Sequence, residues 1–283
     1  MLSSSACAFV TGASPAVIAP PPAALDAENV IFQSESGSQI HAWLVRGHRG
    51  GGAVLLLHGV GSNRSSMEGR AAFLHGEGFT VLAPDFQAHG ESPGRHTTFG
   101  ALESLDAEAA MSFLRDVAPG EKIGVIGVSM GGAATLLGHG PLTADAFVLE
   151  SMYPSIRNAV GNRLGTWLGP LGSVGRHFTS TAIRIIGSQT GVTEAELQPI
   201  SRIGAIHAPL LLLSGTADRY TPLAEAESLF VHAVSPKTFW PVSGAAHEDL
   251  YAYAKGEYSQ RVGGFLEQYL RTEGGSSTET AKR

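Results

Sequence analysis

The stretch Lys122–Gly132 constrains the fold of this chain more than any other. It opens with Ile123–Val128, a β-branched run broken by glycines, which predicts a short buried strand. Ser129 follows at once in the pattern Gly-x-Ser-x-Gly, and Gly132–Leu137 then predicts the first turns of a tightly packed helix. A strand, a sharp turn that carries a serine, and a helix together form the nucleophile elbow pattern.

The residue types at this turn have physical reasons. A serine at the apex of so tight a turn is held in a strained backbone conformation that its surroundings must support. Gly127 and Gly131 lack a Cβ, so the strand and the helix can approach closely on both sides of Ser129. The turn also aims the free N–H groups at the start of the helix toward whatever the serine attacks. The five residues alone are a weak signal, because an ordinary glycine-rich turn would show the same pattern.

The composition narrows the class of protein. The 283 residues, 43% hydrophobic and 16% charged, predict one large α/β domain or one domain with an insert. The net charge of −6 and the lack of a basic cluster argue against nucleic acid as a partner. Cys7 is the single cysteine, so the fold needs no internal disulfide and no oxidising compartment. No apolar run approaches the roughly 18 residues of a membrane helix, so we expect no integral membrane segment.

Both ends of the chain differ in composition from the middle. Residues 1–27 are poor in charge and rich in Ala, Ser and Pro, which predicts a disordered segment or leader. Residues 272–283, rich in Gly, Ser, Thr and Glu, predict a disordered tail. The start lacks the charge and continuous apolar core of a signal peptide, so we expect a cytoplasmic protein. Ser4–Cys7 resembles a lipoprotein cleavage site, and an exported or lipid-anchored form stays open if the true start lies upstream.

Strands alternate with helices over residues 28–271, the predicted domain. Apolar or alternating runs predict strands at 29–33, 40–45, 53–57, 80–83, 123–128, 146–150, 209–213 and 238–242. The first two flank a Ser-Gly-Ser turn and predict an antiparallel edge hairpin. The others are separated by helical patterns such as Ala101–Val117, and they predict a doubly wound, mostly parallel sheet of about eight strands. Residues 151–207 break the alternation, which predicts a helical cap insert.

Three residues that together can perform nucleophilic catalysis each follow a predicted strand, and the carboxyl ends of parallel strands meet at one edge of a sheet. Ser129 would be the nucleophile, and a serine hydroxyl needs a base within hydrogen-bond reach. His247 would be that base, and Asp218 would hold its imidazole in the useful tautomer. The backbone N–H groups of Val60 and Met130 would form the oxyanion hole.

Structural alternatives stay open for these residues. Asp218 could simply cap the helix that follows it, and Glu150, at the end of the neighbouring strand, is the rival acid. His247 is one of 11 histidines and could be a surface loop residue. We interpret His58 as an organiser of the loop that it begins, not as a base. The sequence holds no His-Glu-x-x-His and no cysteine pair, so we expect no metal.

Several short segments of the sequence resemble, in the same order, the conserved segments of α/β-hydrolase fold serine hydrolases. In that family the acid lies between the serine and the histidine along the chain. The segments that carry the resemblance are Leu55–Gly59, Asp85–Ser92, Gly127–Gly132, Ser214–Asp218 and Gly244–His247. The resemblance runs from about Asn29 to Leu270 and points to bacterial esterase-like and acyl-peptidase-like members. It implies no cofactor and a cap that decides the substrate. A serine at position 129 departs from dehalogenases and epoxide hydrolases, which use Asp, and from dienelactone hydrolases, which use Cys. The chain lacks the propeller domain of prolyl-oligopeptidase relatives, which weakens a peptidase assignment.

We therefore expect a soluble hydrolase, monomeric or weakly dimeric, that cleaves carboxylic esters of small acyl substrates through an acyl-enzyme on Ser129. The same triad would also serve a thioesterase, amidase, peptidase or acyltransferase, and a non-catalytic binding protein could keep the fold for its pocket. Apolar cap residues favour an apolar substrate or simply pack the cap onto the body: Met152, Tyr153, Trp167, Leu168, Leu171, Phe178, Ile183, Ile185 and Ile186. Four cap arginines could bind a carboxylate or only be solvated: Arg157, Arg163, Arg176 and Arg184.

Overall fold

The computed structural model describes residues 11–169, 172–234 and 236–272. Within these ranges the strands are β1 (Ser14–Pro15), β2 (Glu28–Gln33), β3 (Gln39–Val45), β4 (Ala53–Leu57), β5 (Thr80–Pro84), β6 (His89–Gly90), β7 (Ile123–Val128), β8 (Ala146–Glu150), β9 (Leu210–Gly215) and β10 (Lys237–Val242). The α-helices are α1 (Glu68–Gly76), α2 (Ala101–Val117), α3 (Met130–Ala134), α4 (Ile156–Trp167), α5 (Gly172–His177), α6 (Thr179–Thr190), α7 (Leu223–His232), α8 (Leu250–Tyr253), α9 (Lys255–Tyr258) and α10 (Gly264–Leu270). Short 3-10 turns lie at Ala23–Leu25, Arg64–Met67, Pro199–Ser201 and Ile203–Ala205.

The central sheet has eight strands in the order β10-β9-β8-β7-β4-β5-β3-β2. The hairpin β2–β3 is antiparallel, β3 pairs antiparallel with β5, and the pairings from β5 across to β10 are parallel. This confirms the predicted doubly wound, mostly parallel sheet and its edge hairpin. Because β4 lies between β7 and β5, the loop after β4 lies beside the turn after β7. The topology therefore brings the His58–Gly59 loop and Ser129 to the same edge.

Strand β4 shows why the central strands are continuous apolar runs. Leu55 and Leu57 belong to the hydrophobic cluster on one face of the sheet, which includes Leu114 of α2. Val54 and Leu56 belong to the cluster on the other face, which includes Leu266 of α10. Alternate side chains of a strand point to opposite faces, so a strand covered on both sides is apolar at every position. Each fully buried side chain of this kind contributes about 1.5–3 kcal/mol.

The region predicted as the cap contains short helices, α4 to α6, followed by two 3-10 turns. Ile156 and Ile183 are buried in the cluster that also contains Leu55 and Leu57 of the sheet, so they pack the cap onto the body. Trp167 and Phe178 are instead 49% and 58% exposed. The interpretation of the apolar cap residues as packing residues therefore fits only some of them; Leu171 lies outside the described residues.

Residues 11–27, part of the segment expected to be disordered or a leader, contact the body of the fold. Strand β1 pairs in parallel with β6, the Thr11 hydroxyl lies 2.5 Å from the side-chain oxygen of Gln189 on α6, and Leu25 is buried. The pairing is made by main-chain groups, such as the Ser14 N–H that donates to the Ala88 carbonyl at 2.7 Å. Composition does not reveal such bonds, because every non-proline residue carries the same donor and acceptor. Residues 1–10 lie outside the described part.

The last helical segment of the chain is not one regular α-helix. Helix α9 runs into a π-helical turn at Ser259–Gly263, and α10 completes the segment to Leu270. The expected tail lies, from residue 273 on, outside the described residues. In the described part of the chain, no helix combines the length and the apolar character needed to cross a bilayer.

Candidate active site

Ser129 lies at the apex of the turn between β7 and α3, with φ of 52° and ψ of −111°. A non-glycine residue in this region of backbone space is strained, and the turn holds it there. The Ser129 N–H donates to the Glu150 carbonyl at 2.8 Å, which ties the turn to the neighbouring strand. A Cβ at Gly131 would come within 2.2 Å of the Leu57 carbonyl oxygen. The glycine therefore lets α3 start directly against β4.

His247 and Asp218 are joined by a short hydrogen bond. The Nδ1 atom of His247 lies 2.7 Å from Oδ2 of Asp218, whose side chain is fully buried. Oδ1 of Asp218 accepts the backbone N–H groups of Tyr220 and Thr221 at 2.8 and 2.9 Å, and Oδ2 accepts the Thr221 hydroxyl at 2.7 Å. Burial acts to raise the pKa of Asp218, but the hydrogen bonds from His247 and Thr221 outweigh it and lower the pKa. The ionised carboxylate favours the imidazole tautomer with its proton on Nδ1.

Ser129, His247 and Val60 line one cavity of about 210 Å³, which we call the serine cavity. The serine is 3% exposed, and within the described ranges its hydroxyl has no hydrogen-bond partner. With Nδ1 of His247 bonded to Asp218, Nε2 is the ring nitrogen left to accept a proton. The geometry thus brings the predicted nucleophile and base into one cavity without joining them by a hydrogen bond. Catalytic hydrogen bonds are often loose before a substrate binds.

The loop after β4 lies directly against the serine. A Cβ at Gly59 would lie 3.5 Å from the Cβ of Ser129. Val60 follows in this loop, and Met130 begins helix α3, where an N–H has no carbonyl partner inside the helix. The two residues predicted to donate to an oxyanion therefore flank Ser129 from two different elements.

His58, at the start of this loop, holds it in place through hydrogen bonds of its buried ring. Its Nε2 accepts the Phe86 N–H at 3.1 Å, and its Nδ1 lies 2.8 Å from the Gly59 carbonyl oxygen. Burial lowers the pKa of His58 to about 3, with a smaller contribution from the nearby His89. A neutral ring with hydrogen bonds at both nitrogens agrees with the interpretation of His58 as a structural residue rather than a base.

His89 is a second support of the loop that the sequence did not single out. Its Nδ1 bonds to the Gln87 carbonyl at 2.9 Å, and its Nε2 accepts the Gly61 N–H at 3.2 Å. Its strand β6 is also the partner of β1. The only sign of this role in the sequence is that His89 lies inside Asp85–Ser92, one of the segments that resemble the family. Its burial and its bond to Gly61 depend on the tertiary structure, which the sequence pattern does not show.

Glu150, the rival acid, is committed elsewhere. Its Oε2 accepts from Arg70 at 2.7 Å, its Oε1 also bonds to the Tyr258 hydroxyl, and all three side chains are buried. Arg70 makes a further ion pair with Asp249 at 2.7 Å. These contacts make Glu150 part of a buried network that joins β8 to α1 and α9.

A second, mostly apolar cavity of about 210 Å³ adjoins the serine cavity and shares Val60 and Arg163 with it. We call it the apolar cavity. Helix α4 of the cap contributes Ala159, Val160, Leu164 and Trp167, and the body contributes Gly61, Thr97 and Phe99. Gly12 and Ser14, from the segment expected to be a leader, form another part of its wall. The arrangement offers a mostly apolar site beside the serine cavity.

In the described ranges, no group of three or more His, Cys, Asp or Glu side chains has the spacing to hold an ion. His58 and His89 lie close together, with ring centres 5.3 Å apart, but their bonds go to main-chain groups. His58 and His89 therefore position loops.

The matched family decides which kind of protein this is. A model of the alpha/beta hydrolase family matches residues 54–258, most of the chain. The chain belongs to the alpha/beta hydrolase family. Its match covers Ser129, Asp218 and His247 together with the cap, and it confirms the predicted fold class and the resemblance seen in the sequence.

Proteins similar to this chain occur in bacteria and in a plant. The "Uncharacterized protein Rv2307c" of Mycobacterium tuberculosis is 30% identical over 226 residues, which cover 78% of this chain and 72% of that protein. The alpha/beta hydrolase domain-containing protein WAV2 of Arabidopsis thaliana is 25% identical over 252 residues, which cover 86% and 79%.

Solved structures give the same fold. The Pyrococcus furiosus esterase Pf2001 superposes with a TM-score of 0.74 at 25% identity, and the match covers 92% of this chain and 99% of that one. The esterase EaEST from Exiguobacterium antarcticum has a TM-score of 0.64 at 16% identity, covering 85% and 100%. The second likeness shows the fold alone.

Proposed function

We propose that this alpha/beta hydrolase cleaves carboxylic esters through an acyl-enzyme on Ser129. The observation that carries the proposal is the convergence of three elements on one cavity. A strained serine after β7, an imidazole bonded to a buried carboxylate, and a backbone loop against the serine line or border this cavity. The Pyrococcus furiosus neighbour is called an esterase, which supports the choice of an ester as the scissile bond.

The first half of the proposed reaction forms the acyl-enzyme. The Ser129 oxygen attacks the carbonyl carbon of the ester while its proton passes to Nε2 of His247. The negative charge on the carbonyl oxygen is stabilised by the N–H groups of Val60 and Met130, and loss of one such donor costs on the order of 3 kcal/mol. The bond from carbon to the alcohol oxygen then breaks, and the alcohol leaves with the proton from His247.

The second half releases the acid. Water attacks the carbonyl carbon of the acyl group on Ser129 and gives a proton to His247. The bond to the serine oxygen breaks, the serine regains that proton, and the carboxylic acid leaves. Asp218 stabilises the charged imidazole in both halves without taking its proton.

The apolar cavity supports an ester with an apolar part. Val60 lies on the border of both cavities, so a group bound against Phe99, Val160 and Leu164 would adjoin the carbonyl above Ser129. Each methylene buried there contributes about 0.8 kcal/mol. Rates should therefore rise with chain length until the cavity is full.

A substrate series tests the proposal. We would measure kcat/KM for p-nitrophenyl esters of two to twelve acyl carbons with the wild type and with Ser129→Ala. The expected result is turnover by the wild type and a loss of at least about a thousandfold in Ser129→Ala. Ser214→Ala, a buried serine outside both cavities, is the matched control and should keep its activity. Equal rates in Ser129→Ala and the wild type would overturn the proposal.

A further inference from the structure

Arg163 lies where the serine cavity and the apolar cavity meet, and it lines both. It belongs to helix α4 of the cap. Its guanidinium carbon lies 5.4 Å from the ring centre of Tyr220, and Tyr220 meets the ring of His247 edge-on at 5.5 Å. One ring therefore separates this cation from the proposed base, so any substrate that spans the two cavities passes the guanidinium.

Arg163 has no carboxylate partner among the described residues, since none of the ion pairs within 4.0 Å in those ranges includes it. Other cations nearby are paired: Arg70 bonds to Glu150 and Asp249, and Arg157 bonds to Glu194 at 2.6 Å. Glu248 also lines the serine cavity, but its Oε1 accepts the Ala246 N–H at 2.9 Å.

We propose that the ester hydrolysed at Ser129 carries a carboxylate group that Arg163 binds. A neutral substrate filling both cavities would take water from the guanidinium and leave its charge without a counter-ion, which is costly. A carboxylate on the substrate removes that cost, because a planar guanidinium binds it through two parallel N–H···O bonds. The contact with Tyr220 is made through the face of its ring, which accepts no proton from the N–H groups that such bonds would use. The inference rests on the proposed function, because it names the substrate class of the same site.

Matched ester pairs test the inference. On the acyl side, mono-4-nitrophenyl esters of diacids with four, six and eight carbons would be compared with the fatty acyl esters of equal length. On the alcohol side, 4-carboxyphenyl hexanoate would be compared with its methyl ester. The variants are R163Q, which removes the charge, R163K, which keeps the charge without the fork, and R184Q. Arg184 is an exposed cap arginine on α6 outside the lining of both cavities.

In the wild type, at least one carboxylate ester should be preferred over its neutral partner. R163Q should lose about 10- to 100-fold in kcat/KM for that ester and less than about threefold for the neutral one. R163K should recover part of the preference, and R184Q should match the wild type. A carboxylate preference that is absent from the wild type in every pair, or that survives in R163Q, would overturn the inference.

A binding measurement keeps this result separate from the fate of the proposed function. Calorimetry on Ser129→Ala, with and without R163Q, would use the anilides that correspond to the acyl-side pairs, which need no ester hydrolysis. R163Q should weaken binding of a carboxylate anilide about tenfold or more and leave the neutral anilide unchanged. Equal binding of the carboxylate anilides with and without R163Q would overturn the role of Arg163. Absence of ester turnover would overturn the proposed function alone.

Discussion

The Nδ1 atom of His247 lies 2.7 Å from Oδ2 of Asp218, and the same carboxylate accepts two backbone N–H groups and the hydroxyl of Thr221. The acid is thus held by its own loop, independently of the histidine. Asp218 is not the cap of the following helix, because the N-cap of α7 is Pro222; Oδ1 holds the turn before that helix, while Oδ2 faces the imidazole. One carboxylate performs both tasks.

Replacing Asp218 by Asn should reduce kcat for ester hydrolysis by about 10³- to 10⁴-fold. The amide presents an N–H to the ring or to the turn, so the imidazole loses both its fixed tautomer and a counter-charge. The measurement is kcat and KM on the best p-nitrophenyl ester, with Asp116→Asn, an exposed carboxylate on α2, as the control. A loss of less than about tenfold in Asp218→Asn would speak against a catalytic role for this pair.

Glu150→Gln should damage stability more than catalysis. Removing the charge leaves Arg70 without its buried partner, and breaking a buried ion pair costs about 3–5 kcal/mol. Urea unfolding would report the free energy, and kcat per folded molecule would report the chemistry. We expect kcat within about tenfold of the wild type. A stable variant with the kcat of Asp218→Asn would instead identify Glu150 as the acid.

Ser14→Trp should shift the preferred acyl length toward shorter esters. Ser14 lines the apolar cavity, and added volume in a packed site costs about 1–3 kcal/mol, which is about 5- to 150-fold in rate. Acetate esters should be little affected, since they do not reach that wall. Val17→Trp, at a site that is 97% exposed on the same segment, is the control. If the length profile of Ser14→Trp matched that of Val17→Trp, the N-terminal segment would not belong to the cavity wall.

His58 should make the folded protein sensitive to acid. Its pKa is about 3 in the folded chain, against an ordinary value of 6.5. Between these values the unfolded chain binds the extra proton, so the free energy of unfolding falls as pH drops, by up to about 1.4 kcal/mol per pH unit. Burial raises the pKa of Asp106 to about 6, so Asp106 makes the free energy of unfolding rise as pH drops, opposite to His58. The effect of His58 is therefore measured as the difference between the wild type and a His58 variant.

The comparison is urea unfolding of the wild type and His58→Gln at pH 6, 5 and 4. The glutamine oxygen can still accept the Phe86 N–H, but it does not titrate, so stability should fall less steeply with acid in this variant. His139→Gln is the control. The bond to Glu108 raises the pKa of His139, so the stability that His139 contributes is lost as pH rises, whereas that of His58 is lost as pH drops. Parallel stability curves for the wild type and His58→Gln would contradict the buried neutral ring.

The buried strands and the turn at Ser129 could be predicted from the sequence, because local residue patterns indicate each of them. Ala53–Leu57 is apolar at every position since both faces of β4 are covered, and the glycines around Ser129 mark close approaches that a Cβ would prevent. Short loops between these patterns left few possible topologies.

The features that were missed depend on contacts between distant segments. The pairing of β1 with β6 uses main-chain bonds that any composition can make, so the composition of residues 11–27 gives no sign of it. His89 reaches Gly61 across 28 positions, and its sequence neighbours give no sign of that bond. The sequence could not show that Arg163 lines both cavities, because periodicity places a residue on a helix but does not place the helix.

The most direct test of an acyl-enzyme on Ser129 is mass spectrometry of the protein quenched in acid during turnover of a p-nitrophenyl ester. We expect a mass increase equal to the acyl group, on the peptide that contains Ser129, and no such increase in Ser129→Ala. Fluorophosphonate labelling should modify the same serine. Turnover with an acyl adduct on another residue, or with ester hydrolysis retained in Ser129→Ala, would contradict an acyl-enzyme on Ser129.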